Sequence, residues 1–212
     1  MVTTLRDVRS GNWGDGPGPT VALLLHGYGA TENDLTGLAS ALGLEIPWAS
    51  LRAPIHLGGG AAWFEVVTPG DPAPVPVQAA TDAIWSWVDA FAPGSRVVPI
   101  GFSQGGFVAS QLLRTRPERV VAPVILGGFV AGSPQAGDAD LAERRPAVFW
   151  GRGAEDRVIT AAAIERTRAF LSAHSTLVDR VYAGLGHGIS AAEMADVREF
   201  LATTPASDVL VR

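Results

Sequence analysis

Ser103 sits in Gly101-Phe102-Ser103-Gln104-Gly105-Gly106, directly after the apolar run Val97–Phe102 and directly before an amphipathic stretch reaching Arg114. A G-x-S-x-G placed between a strand and a helix lifts the serine hydroxyl onto a sharp turn, where it is free to attack an acyl carbon. The glycines have a steric reason. So tight a turn brings the residues two before and two after the serine together, and side chains at 101 and 105 would crowd that approach. Read alone, the pentapeptide is also a glycine-rich strand-to-helix turn carrying an incidental serine.

A serine hydroxyl needs a base within hydrogen-bond reach. The chain has four histidines. His26 ends a strand-like run, His56 opens an irregular stretch, and His174 closes a helical pattern, where it suits the helix dipole. His187 lies in Gly184-Leu185-Gly186-His187-Gly188-Ile189-Ser190, between the last predicted strand and the last predicted helix. Its flanking glycines leave the imidazole room to reach another loop. An acid must then orient that base. Asp156, in Gly151-Arg152-Gly153-Ala154-Glu155-Asp156-Arg157-Val158, follows the preceding strand, with Glu155 as its neighbour and rival. Asp138 and Asp140 read as loop residues facing solvent, and Asp179 falls inside a strand. The order Ser103, Asp156, His187 is the one expected of α/β-hydrolases. An oxyanion hole needs two backbone donors. The Gln104 N–H offers one, and the Tyr28 N–H in His26-Gly27-Tyr28-Gly29 offers the other.

The elements that must position these groups alternate along the chain. Strands are expected at Val21–Leu25, Trp48–Leu51, 97–102, Val120–Leu126, Ala147–Trp150 and Thr176–Tyr182, after a short strand or hairpin and a turn-rich link in residues 1–19. Helices are expected from an N-cap at Thr31 to Gly43, over Ala80–Phe91, after Ser103, from Thr160 to His174, and after Ser190, where Ser190 and Glu193 read as a capping box flanked by Ile189 and Met194. This alternation predicts an α/β fold in one domain over 1–212, a mostly parallel sheet with helices on both faces. Sites in such sheets form at the carboxyl ends of the strands. Residues 54–77 read as one long irregular loop, a functional surface more than a linker. Pro99 is anomalous, because a proline cannot donate within a strand ladder. The pattern offers only a bulge to explain it.

Composition narrows the function classes. The net charge of −5 argues against nucleic acid or an anionic membrane surface as partner. All 16 basic residues are arginine, and there is no cysteine, which excludes disulfides, thiolate metal sites and a cysteine nucleophile. No signal-like segment or membrane-length apolar run is visible, so a cytoplasmic protein without stable membrane association is expected.

Five segments in order, LLLHGYGATENDL, RAPIHLGGGAAWF, GFSQGGFVA, GAEDRVI and GLGHGIS, resemble the phospholipase/carboxylesterase family of α/β-hydrolases. The resemblance implies a Ser103–Asp156–His187 triad, oxyanion donors at the Tyr28 and Gln104 backbones, and an aromatic pair, Trp63 and Phe64, on the loop beside the acyl site. It implies a serine hydrolase of carboxylic esters with short-to-medium acyl chains, thioesters or lysophospholipids included, working without cofactor or metal. A silent small-molecule binding protein of this fold and a peptidase or amidase remain as alternatives, and a homodimer is left open. Residues 127–146 are rich in turn formers and have room for one short helix near Asp140–Arg145, so no cap domain is expected. Trp63 and Phe129 are then expected to flank an open acyl groove.

Overall fold

The computed structural model describes residues 5–14 and 16–204. It contains a seven-stranded sheet in the order β1-β3-β2-β6-β7-β8-β9. The strands are β1 (Asp7–Arg9), β2 (Thr20–Leu25), β3 (Trp48–Leu51), β6 (Arg96–Phe102), β7 (Val124–Leu126), β8 (Ala147–Gly153) and β9 (Thr176–Tyr182). A separate hairpin pairs β4 (Ile55–Leu57) with β5 (Gly60–Ala62). Only the edge strand β1 runs antiparallel in the large sheet. The helices are α1 (Thr36–Leu42), α2 (Pro74–Phe91), α3 (Gln104–Thr115), α4 (Asp138–Arg144), α5 (Ala161–His174) and α6 (Ala191–Thr203).

Every residue of β2 is buried, as the unbroken apolar run requires of a parallel strand covered on both faces. Its side chains alternate between two cores. Val21, Leu23 and Leu25 join the larger one with residues of α2, α3 and α5. Ala22 and Leu24 join the smaller one, under α1 and α6, with Val197, Phe200 and Leu201. Because β2, β6, β7, β8 and β9 pair in parallel, their carboxyl ends point the same way, and the loops leaving them meet at one edge.

Several boundaries differ from the sequence reading. Thr31 is not a helix cap. Its N–H and hydroxyl both donate to Asp34 in a separate turn, and α1 begins five residues later. The stretch 54–77 is less irregular than expected: it contains the β4–β5 hairpin, and α2 begins at Pro74. Prolines are tolerated in the first turn, where the missing N–H would have had no intrahelical acceptor. Asp138 and Asp140 lie in the first turn of α4 rather than in a solvated loop, and Asp138 is gripped by Arg114.

The expected strand Val120–Leu126 shrinks to Val124–Leu126, and the reason also accounts for Pro99. Arg96 donates to Pro19 on the β2 side, whereas Val97 accepts from Val121 on the β7 side. Alternation then points position 99 toward β7. After the bridge between Val97 and Val120, the β7 chain leaves the ladder through Ala122, at φ 44°, and Pro123, and rejoins it at Ile100–Val124. Pro99 faces that gap, so its missing donor costs no ladder bond. The bulge lies on the neighbouring strand.

Candidate active site

The turn after β6 holds Ser103 at φ 55° and ψ −115°, a region that non-glycine residues rarely occupy. Packing fixes it there. A Cβ on Gly101 would run into the Gly105 carbonyl, and one on Gly105 into the Leu25 carbonyl of β2. Gly106 would in turn press on Gly128 at 3.1 Å. Helix α3 thus starts in direct backbone contact with the sheet. The Ser103 N–H donates to Leu126 O at 2.8 Å, and its carbonyl accepts from Phe107 at 3.0 Å.

His187 reaches this serine from the β9–α6 loop. Its Nε2 lies 2.8 Å from Ser103 Oγ and its Nδ1 2.7 Å from Asp156 Oδ2. The other Asp156 oxygen accepts the backbone N–H groups of Val158 at 2.8 Å and Ile159 at 3.2 Å. Asp156 is therefore held as a carboxylate acceptor and selects the Nδ1–H tautomer, leaving Nε2 to accept the serine proton. Phe102 packs against the imidazole with ring centroids 5.0 Å apart. Glu155, the rival acid, is exposed, but its backbone N–H donates to Leu185 O at 2.9 Å and ties down the histidine loop.

The two candidate oxyanion donors come from separate loops. Gly27 abuts Ser103, its missing Cβ falling 3.5 Å from Ser103 Cβ. The Tyr28 loop is stitched to the β4–β5 hairpin by Gly29 N–H to Ala61 O and Ala61 N–H to Ala30 O, each 2.9 Å. Among the described residues neither the Tyr28 N–H nor the Gln104 N–H has an acceptor. Gln104 also acts through its side chain, which the sequence did not signal. Its Oε1 accepts from Trp63 N–H at 2.8 Å and its Nε2 donates to Phe64 O at 2.7 Å.

A cavity of about 400 Å³ opens beside Ser103, walled by Phe64, Val66, Pro69, Phe129, Val158 and Ile159. Tyr28 and Gln104 also line it. Phe129 is where the sequence reading placed it. Trp63 is not: it is 1% exposed and absent from the cavity wall. Its indole N–H donates to His26 O at 2.9 Å, which turns the ring into the core and turns the next residue, Phe64, outward to the cavity. The segment 127–146 contributes only Phe129 to the lining. Arg166 of α5 braces two walls at once, donating to Gly70 O and, at 3.0 Å, to Val130 O. An arginine at a helical position carries no sequence signal for such a role.

Two buried titratable groups flank the site without touching it. His26 is fully buried; its Nε2 accepts from Ala53 N–H at 3.1 Å, so Nδ1–H donates to Gly27 O at 2.7 Å. Burial holds its pKa below the usual 6.5 and keeps it neutral. Glu193 completes only half of the expected capping box. Ser190 Oγ accepts the Glu193 N–H at 3.1 Å, but among the described residues neither carboxylate oxygen has a partner. Burial against Gly151 pushes the Glu193 carboxyl up to about 7. His56 lies in β4 and His174 at the end of α5, both away from Ser103. Among the described residues no group of three or more histidines and carboxylates could hold a metal ion. No helix among them is long and apolar enough to cross a membrane.

Solved structures confirm the fold. A Bacillus cereus carboxylesterase is 22% identical, with TM-score 0.77 over 93% of each chain. A carboxylesterase from Mesorhizobium loti is 22% identical, with TM-score 0.73 over 87% of this chain and 89% of that one. Esterase PE8 is 21% identical, with TM-score 0.74 over 93% and 98%. A search of curated proteins gives no match. The sequence profile described as phospholipase/carboxylesterase matches residues 14–205, nearly the whole length over which these elements assemble. The chain belongs to the phospholipase/carboxylesterase family.

Proposed function

We propose that this protein hydrolyses carboxylic esters through an acyl-enzyme on Ser103. The observation that carries the reading is the unbroken hydrogen-bonded line from Ser103 Oγ through His187 to Asp156, at 2.8 and 2.7 Å, opening on an apolar cavity. His187 Nε2 takes the hydroxyl proton as Ser103 attacks the carbonyl carbon. The Tyr28 and Gln104 N–H groups stabilise the oxyanion. The tetrahedral adduct collapses as His187 returns the proton to the leaving alcohol. Water, deprotonated by the same imidazole, then attacks the acyl-enzyme and releases the acid. Asp156 keeps the imidazole in the productive tautomer and stabilises its charged form.

The cavity suits short-to-medium acyl chains delivered as monomers, and thioesters fit the same chemistry. Its mouth carries exposed Tyr28, Val66 and Val158 and is not covered by the 127–146 segment. Labelling with a fluorophosphonate, followed by turnover of p-nitrophenyl esters from acetate to palmitate, tests the reading. The wild type should label at Ser103, peak at short-to-medium chains and show no jump in rate at the substrate's solubility limit. Ser103→Ala should fold, fail to label and lose activity by about 10⁵–10⁶-fold. A labelled or active Ser103→Ala protein would overturn the assignment. An unlabelled, inactive wild type would leave a binding protein of the same fold.

A further inference from the structure

Two walls of the cavity beside Ser103 differ in how they are held. Residues 65–72 contribute Val66, Thr68, Pro69, Gly70 and Pro72 to its lining, and the β7–α4 loop contributes Phe129. The 65–72 segment forms neither strand nor helix, and its one internal tie is Asp71 N–H to Thr68 O at 3.1 Å. Among the described residues, Arg166 of α5 is the only side chain that hydrogen-bonds to it, through Gly70 O. Gly70, at φ 75°, sits on the first turn of α5, where a Cβ would run into Thr160 Oγ1 and approach Ala163 Cβ at 3.1 Å.

The Phe129 wall has more anchors. Ser110 Oγ donates to Phe129 O at 3.2 Å, Val130 N–H donates to Thr167 Oγ1 at 3.0 Å, and Val130 O accepts from Arg166 Nε at 3.0 Å. Thr167 is fully buried, and its hydroxyl is fixed on α5 by donating to Ala163 O at 2.7 Å. One guanidinium therefore spans both walls, with Nε on Val130 O and Nη2 on Gly70 O. A planar fork holds two acceptors at a set separation, which a single ammonium does not. Without that fork Phe129 keeps its ties to Ser110 and Thr167, whereas 65–72 keeps none to a side chain.

We propose that Arg166 is a positioning residue for substrate selectivity. By fixing 65–72 relative to the Phe129 wall it sets the width of the acyl groove beyond Ser103, and with it a preference for narrow, unbranched acyl chains. This rests on the ester-hydrolase reading of the site. A methylene seated in an apolar pocket is worth about tenfold or more in kcat/KM. A wall that yields is therefore read as lost discrimination between chains that reach it and chains that do not. An acetyl group, with one carbon past the carbonyl, ends beside Ser103. A hexanoyl chain extends along the groove, and a phenyl ring at the same depth needs more width.

The test is kcat and KM of wild type, Arg166→Met and Arg166→Lys on p-nitrophenyl acetate, hexanoate and 3-phenylpropionate. Arg166→Met keeps an unbranched stem where Cδ now lies 3.6 Å from a Cβ built on Gly132. It should lose at least tenfold more on hexanoate than on acetate, mainly through KM. Its preference for 3-phenylpropionate over hexanoate should rise at least fivefold above that of wild type. Arg166→Lys should retain part of the wild-type preference. Ratios between esters are independent of the fraction of protein folded, so a loss of stability alone does not move them. A uniform loss on all three esters, or an unchanged preference, would overturn the proposal. A second arm follows binding of methyl hexanoate and methyl 3-phenylpropionate to Ser103→Ala protein by NMR, with and without Arg166→Met. Wild type inactive on every ester would count against the hydrolase reading alone. The binding arm then decides on Arg166: a shift toward the phenyl ester upholds its role, and no shift overturns it.

Discussion

Around Ser103 nearly every backbone approach is closed to a side chain, since Gly101, Gly105 and Gly106 each lie against another stretch of main chain. Within the His187 loop itself the glycines stand in the open, although Gly153 of β8 lies against the loop's main chain at Leu185 and Gly186. Gly184 and Gly186 have nothing within 4 Å of a built Cβ, and Gly188 meets only Leu185, at 4.0 Å. Ser103 is positioned by steric exclusion, which allows one conformation. His187 is held largely by hydrogen bonds, its ring donating to Asp156 and accepting from Ser103, and its loop accepting the Glu155 N–H at Leu185 O. A site can therefore be rigid at one end and adjustable at the other while the two ends share a bond.

The largest expected effect tests the adjustable end. Asp156→Asn should lower kcat/KM by about 10⁴-fold, as a misdirected tautomer does in a comparable triad, with little change in KM. Glu155→Gln, which leaves the backbone tie intact, should cost less than tenfold. Steady-state kinetics on one soluble ester decides it, and equal losses would break the distinction between the two acids.

Next in size is a pair of glycine substitutions. Gly105→Ala forces a methyl group into the Leu25 carbonyl and should destabilise by about 4 kcal/mol or more, enough to deplete folded protein. Gly186→Ala enters open space at an ordinary φ and should cost under about 1 kcal/mol. Urea unfolding of both variants measures the contrast. Similar losses would mean that the histidine loop is also sterically fixed.

The smallest effect concerns Glu193, at the start of the helix behind the histidine loop. Its carboxyl is raised to about 7 in the fold from an ordinary 4.5. The folded protein thus retains a proton that the unfolded chain releases. Its stability is fullest below 4.5, declines as pH rises toward 7, and above that carries a penalty of at most about 3 kcal/mol. Glu193→Gln should match the wild type near pH 5 and exceed it in melting temperature at pH 8. A difference independent of pH would show that the carboxyl titrates normally. His26 has the opposite sign: buried neutral, it contributes stability that is lost as pH falls through its unfolded value of 6.5.

Much of this was legible in the sequence because the signals were local. The run 21–25, the glycines around Ser103 and the glycine-bracketed His187 each state their requirement within a few residues. Trp63 and Phe64 were not separable in that way. Which of two adjacent aromatics faces the cavity depends on an indole N–H finding His26 O, thirty-seven positions away. Thr31 has the right residue type for a cap but spends both donors on Asp34. Pro99 is explained only by a kink in a neighbouring strand. For the aromatic pair and for Pro99 the deciding partner is remote in sequence, where periodicity carries no information; for Thr31 it is a competing carboxylate three residues on.

The Gln104 carboxamide grips the loop through main-chain atoms, the Trp63 N–H and the Phe64 carbonyl. The side chain at 64 takes no part in that grip. On the proposed mechanism, a lineage can exchange Phe64 for a smaller or larger residue, and so retune which acyl groups fit, without disturbing Gln104, whose backbone N–H is the proposed oxyanion donor. Selectivity and catalytic geometry are thereby separable under mutation, although they are built from neighbouring atoms.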